Sequence, residues 1–270
     1  MDQIRDLERR KKIISKLRMI DDIFFQKMFE DKAACEEILR ICMEDPELEV
    51  LEVIPQKELK NLQGRSVKLD AYCRLGDGRF VDVEVQRADK DDHFRRVRYN
   101  GACLTVNVTE WGAQFQEVPD VCVIYITEFD VFSGGHTMYH INKVVQETGE
   151  VIQDGLQEIY LNAKADDGTI QAALMKNFML EEVADERFPE VSRRFYALKH
   201  DEEEVTHMCR ELQEYYAEGR QEGREEGRME EKKENALELY RMGMPVEQIA
   251  KVVKISVKIV SQWLNPQPMP

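Results

Sequence analysis

Asp70, Glu84 and Gln86 stand on either side of a short turn, in the run Lys68-Leu-Asp-Ala-Tyr-Cys-Arg-Leu-Gly-Asp-Gly-Arg-Phe-Val-Asp-Val-Glu-Val-Gln86. Gly76-Asp77-Gly78 is a tight-turn signal between two alternating segments. With the turn centred on Asp77, Leu69 faces Val85, Ala71 faces Val83 and Cys73 faces Val81, which makes one face apolar. The other face pairs Tyr72 with Asp82, Asp70 with Glu84 and Lys68 with Gln86. A slip of one residue would mix the faces, so the pattern selects this register. Carboxylates directly opposed across two strands originate roughly 5 Å apart and repel each other. A hard divalent cation relieves that repulsion, and magnesium suits one or two protein carboxylates with several waters. The bland alternative is a solvated acidic strip. Asp82, one pleat nearer the turn, reads as peripheral.

Basic residues follow at once. Arg87, Arg95, Arg96 and Arg98 can neutralise phosphates, with Asp89, Asp91 and Asp92 as competing ion-pair partners. None of the five histidines (His93, His136, His140, His200 and His207) has a ligand-like companion, so all are read as non-ligands. The six cysteines contain no CxxC pair and read as reduced thiols of a cytoplasmic protein. The charged start has no apolar stretch behind it, so no secretory signal is expected. No apolar run approaches the roughly 18 residues of a membrane span.

The elements that must hold these groups follow from periodicity. Ile23, Phe24, Phe25, Met28 and Phe29 recur at helical spacing behind Asp21 and Asp22, either of which can cap the helix. A second helix is expected over 32–43, ending before Asp45-Pro46. Strands are expected over 48–55, 66–75 and 79–86. A polar stretch, 89–98, leads into a helix carrying Tyr99, Cys103, Leu104 and Val108. The unbroken apolar run 121–127 has the composition of a strand buried on both faces. Weaker strands over 137–141 and 158–161 precede a helix over 169–180. Such alternation indicates an α/β layer fold.

Asp70, the short hairpin and Glu84-Val85-Gln86 together resemble the PD-(D/E)XK nuclease superfamily, in the variant with Gln at the motif lysine. More narrowly the chain is similar to the PD-(D/E)XK family of recombination-promoting nucleases or putative transposases. The likeness includes Asp22-Ile-Phe-Phe25 and Phe29, Arg96-Val-Arg-Tyr99, Val123-Ile-Tyr-Ile-Thr127 and Asp130-Val-Phe132. It extends over roughly 19–180, and such proteins often end in an EGR-type helix. It implies a restriction-endonuclease-like α/β core, a mixed central sheet flanked by helices, with an all-helical C-terminal extension. It implies Mg²⁺, with Mn²⁺ able to substitute, held by Asp70, Glu84 and the Val85 carbonyl. Gln86 would orient the attacking water, and Asp22 would hold a water or second ion or serve only as a helix cap. Leu69 replaces the Pro of the superfamily name, Gln26 stands where relatives commonly have Lys, and Gln86 lacks a lysine's charge. Glutamine positions water but is no general base near neutral pH.

The net charge of −15 argues against nucleic acid only in the mean. The first twenty residues carry seven Lys/Arg against three Asp/Glu, whereas 181–234 carries 18 Asp/Glu against 10 Lys/Arg. Local faces decide binding. The expected division is a basic N-terminal helix (1–20), a nuclease-like domain (21–180), a charged helical connector (181–235), a helix-turn-helix-like tail (236–264) and a disordered end (265–270). Gly219, Gly223 and Gly227, each flanked by Glu and Arg, suit a solvated connector or a close helix contact. In the tail, Pro245 and Ser256 open two short helices. Lys254, Lys258, Ser261 and Gln262 would then meet DNA, or the same helices would form a bundle for dimerisation or core closure. Three functions fit: a Mg²⁺-dependent DNA endonuclease linked to recombination or mobile elements, an inactive nuclease fold that docks DNA or a partner, and a helical adaptor.

Overall fold

A computed structural model of the chain describes residues 2–59, 66–89 and 91–264; the expected disordered end, 265–270, lies outside them. Helix α1 (Asp2–Ile14) leads to α2 (Asp22–Phe29) and α3 (Lys32–Cys42). Strands β1 (Val50–Leu59), β2 (Val67–Leu75) and β3 (Phe80–Gln86) follow, then α4 (His93–Val108) and β4 (Val121–Thr127). Next come β5 (Met138–Ile141), a small ribbon of β6 (Lys143–Val144) and β7 (Val151–Ile152), and β8 (Leu156–Asn162). The rest is helical: α5 (Ile170–Phe178), α6 (Pro189–His200), α7 (Glu202–Arg241), α8 (Val246–Val253) and α9 (Val257–Leu264).

One sheet of six strands, in the order β1-β2-β3-β4-β8-β5, organises the first of two compact units, Met1–Cys209. The β3/β4 and β4/β8 pairs are parallel and the others antiparallel. All seven residues of β4 are buried, as its unbroken apolar run requires. The hairpin register is the one its alternation selects: Ala71 opposes Val83, Tyr72 opposes Asp82 and Cys73 opposes Val81. Gly78, at φ +94°, takes the left-handed conformation that this turn needs.

Helix α4 covers the sheet face that carries Asp82 and its register partner Val123. Gly101 permits the approach, because a Cβ there would meet Leu156 Cδ1 at 3.1 Å and Val123 Cγ2 at 3.4 Å. The opposite face receives α3, whose Cys35 Sγ lies 3.6 Å from Cys73 Sγ. Phe195 of α6 packs on Phe24 of α2 with ring centroids 4.9 Å apart, and Arg194 Nε donates to the Lys27 carbonyl at 3.1 Å.

Two expectations need correction. Helix α4 starts at His93, inside the stretch read as a polar lead, because His93 and Val97 turn inward while Arg95 and Arg98 face solvent. The polarity there belongs to one side of an amphipathic helix. Secondly, the first unit runs past residue 180, since Val191, Phe195 and Leu198 make a buried stripe on α6 inside an acidic stretch.

The second unit, Arg210–Pro270, has its own small core of Ala236, Ile249, Ala250, Val253 and Val260. Gly243 (φ +87°) follows the end of α7. Pro245 is the N-cap of α8 rather than its first helical residue, and Lys254 is its left-handed C-cap. A Cβ on Gly219, Gly223 or Gly227 would meet nothing within 4 Å among the described residues. No helix among the described residues is long and apolar enough to cross a membrane.

Candidate active site

The β2/β3 ladder ends at Ala71 opposite Val83. Beyond it side chains replace the backbone ladder. The Asp70 N–H donates to Glu84 Oε1 at 3.2 Å, and the Val85 N–H donates to Asp70 Oδ2 at 3.1 Å. The strands fork, and the two carboxyl groups fill the fork as hydrogen-bond acceptors. The fork lies toward the carboxyl ends of the parallel strands β3 and β4, the usual ligand edge of an open α/β sheet.

Asp82 is fully buried, not peripheral, because α4 covers its face. Its Oδ2 accepts from Asn100 Nδ2 at 3.2 Å, and Glu84 lies close enough to interact with it electrostatically. Its Oδ1 has no partner among the described residues. Burial, then the charge of Glu84, pushes the Asp70 carboxyl well above the ordinary carboxylate range, with Asp22 adding to the effect. Burial and Asp82 push Glu84 up in the same way, and burial pushes Asp82 up. Arg96 is the cation that opposes these effects at both Asp70 and Glu84.

Arg96 reaches the acids from α4. Its Nη2 donates to Asp92 Oδ2 at 3.2 Å, and its Nε is buried without a partner among the described residues. With Lys68, Glu84, Asp92, Arg95 and Arg98 it lines a cleft of about 470 Å³. Arg95 and Arg98 are exposed. Asp92, Arg96 and Asn100 are each four residues apart and therefore share one stripe of the helix.

The remaining expected site residues are dispersed around this centre. Asp22, at the head of α2, is exposed and close enough to Asp70 to act on it by charge. Gln86 Nε2 donates to the Ala88 carbonyl at 2.8 Å, which leaves Oε1 as an acceptor. Val85 is buried beside the fork. Arg87 is tied into the protein, with Nη1 at 2.6 Å from Asp21 Oδ1 and Nε donating to Glu128 Oε2 at 3.2 Å. Lys254 and Lys258 belong to the second unit, in the turn after α8 and in the first turn of α9. His93 hydrogen-bonds Tyr125 Oη through Nδ1 at 3.0 Å and Asp89 Oδ1 through Nε2 at 2.9 Å, so both its nitrogens are used.

Asn100 and the ion network around Arg87 are not marked by any motif in the sequence. The i, i+4 spacing of Asp92, Arg96 and Asn100 is the sequence signal that places Asn100 on the same helix stripe once α4 begins at His93.

The donor set suits a hard divalent cation. Asp70 and Glu84 offer oxygen ligands whose repulsion a cation would relieve, with an orphaned buried oxygen of Asp82 behind them. Among the described residues no three His, Cys, Asp or Glu side chains form a ready cage.

No curated protein and no solved structure matches the chain. A family model described as PD-(D/E)XK nuclease family transposase matches residues 19–243, a span that includes the fork, α4 and the whole mixed sheet. On that match, and with the α/β nuclease-like architecture described above, the chain belongs to the PD-(D/E)XK nuclease family of transposases.

Proposed function

We propose that the chain is a divalent-metal-dependent DNA endonuclease, linked to DNA recombination or mobile elements and working in the cytoplasm. The observation that carries this reading is the fork, where Asp70 and Glu84 replace the backbone ladder and both carboxyls are pushed up, Asp70 by burial and Glu84, and Glu84 by burial and Asp82. Asp70, Glu84 and the Val85 carbonyl would hold Mg²⁺, or Mn²⁺ in its place. The cation would supply Lewis acidity to the phosphodiester. Gln86, through its free Oε1, accepts a hydrogen bond from the attacking water and orients it. Asp22 stands at the outer edge of the acids, where it can hold a further water. Arg96 balances the acid charge, while Arg95 and Arg98 offer exposed cations to the phosphates.

In the tail, Lys254 and Lys258 would contact DNA, or α8 and α9 would join two copies of the chain. Supercoiled plasmid incubated with wild-type protein should be nicked or linearised only with Mg²⁺ or Mn²⁺. Glu84→Gln should be slower by orders of magnitude. Equal cleavage by both proteins would sink the reading. One observation favours a second reading, an inactive binding module: Gln86 lacks a lysine's charge and its amide nitrogen is bound to its own chain. Metal-independent DNA binding without any cleavage would support that module.

A further inference from the structure

The N-terminal segment carries a charged surface outside the acid centre. Arg9 and Lys12 on α1 and Lys16 in the turn after it are exposed and make no ion pair among the described residues. They line a groove of about 530 Å³ with Arg18, Asp21, Arg87 and Glu181. Arg18 and Arg87 are already answered by Asp21 and Glu128, which both of them contact. The groove therefore has a fixed ionic floor and a basic wall that no acid among the described residues pairs with. Asp22, next to Asp21 in the chain, is close enough to Asp70 to act on it by charge, so the floor adjoins the acid centre.

We propose that this groove binds the phosphodiester backbone of the DNA flanking the cut, a proposal that rests on the DNA nuclease reading. Arg9 to Lys16 spans roughly 10 Å at about 1.5 Å per residue. That matches about three phosphates of one strand at about 3.4 Å each. A lipid surface fits less well. Membrane-lying helices present large apolar residues outward, whereas Ile13 and Leu17 in this groove are half-buried.

The test uses the full chain without divalent ions, so that binding is read apart from cleavage. In the variant R9Q/K12Q/K16Q the slope of log affinity against log salt should shrink by about 2.7, at about 0.9 per phosphate. Between 50 and 200 mM salt the variant should then lose about 40-fold less affinity than wild type. All three side chains are exposed, so its melting temperature should match wild type. Should it not, Lys12→Glu alone serves, with a slope smaller by about one or more. An unchanged slope would overturn the proposal. So would loss of phosphatidylserine-vesicle binding in the variant with DNA binding intact. A failed nuclease reading looks different: wild type would not cut DNA with Mg²⁺, yet the salt slope would still fall in the variant.

Discussion

If the fork holds a divalent cation as proposed, metal and protons compete for it, and the competition has a calculable size. Asp70 and Glu84 are both held above the ordinary carboxylate range, so the folded protein keeps protons that the unfolded chain has released. Without metal, their contribution to stability is complete below the unfolded carboxylate values and is lost as pH rises through the raised folded values. A cation must displace those protons, so its affinity moves the opposite way and climbs with pH. Where both acids hold protons, affinity changes by up to about a hundredfold per pH unit, one decade for each proton. At tenfold excess over Kd, Mg²⁺ adds about 1.4 kcal/mol. For a unit of this size that raises Tm by about 3–6 °C. A hundredfold loss of affinity leaves less than about 0.1 kcal/mol, too little to see. Thermal melts of the whole chain from about pH 5 to 8, with and without Mg²⁺, therefore should show two opposed trends. The metal-free Tm falls as pH rises, and the metal-induced shift grows. Glu84→Gln, which keeps an oxygen for the Asp70 N–H, should flatten both. A metal shift of equal size in Glu84→Gln, or one that shrinks toward pH 8, would refute the reasoning.

Asp82→Asn removes a buried charge while keeping an acceptor for Asn100, so the metal-free protein should melt higher at pH 8 than wild type; a lower Tm would mean that the charge itself is needed. Gln86→Ala should slow plasmid cleavage less than Glu84→Gln, and Gln86→Lys should retain or raise it; inactivity of Gln86→Lys alone would show that a cation is not tolerated there. Alanine at Gly219, Gly223 and Gly227 should slow amide exchange in α7, by up to about 1 kcal/mol of helix stability per site, because a Cβ there meets nothing. Destabilisation instead would reveal a partner seated on that edge. Deleting 236–270 should leave the Met1–Cys209 unit with its cooperative melt while DNA affinity becomes less salt-dependent; loss of dimers at equal affinity would favour the bundle reading of the tail.

What was legible in the sequence was whatever alternates or runs unbroken. The hairpin register followed from two contrasting faces, and β4 from seven apolar residues in succession. The same register sets Asp70 opposite Glu84, although the ladder stops one pair short of them and side chains take over. Elements whose polar side dominates their composition were harder to read. Arg95, Arg96 and Arg98 masked the start of α4, and the acids around Val191, Phe195 and Leu198 masked the packed stripe of α6. The last residues of β1 were missed because Lys57 looks like a loop residue, yet its Nζ lies 3.1 Å from the centre of the Tyr72 ring. The depth of Asp82 could not be read from alternation, which assigns a face but not what covers it. The covering helix contributes Asn100 from a separate part of the chain.

The exchange of backbone partners at the fork bears on how this site would decay over evolutionary time. Asp70 and Glu84 each carry two separable properties, an oxygen that accepts a neighbouring strand's N–H and a negative charge. A lineage with no need of the proposed metal site would still need the oxygens, since losing one leaves an N–H unpaired in the fork at about 1–3 kcal/mol. It would gain by shedding the charges. Drift at these two positions should therefore run toward Asn and Gln rather than toward alanine. On the proposed function, a relative with amides at both would be a folded scaffold without the metal site, and one that retains both acids would be bearing an electrostatic cost that a bound cation would offset.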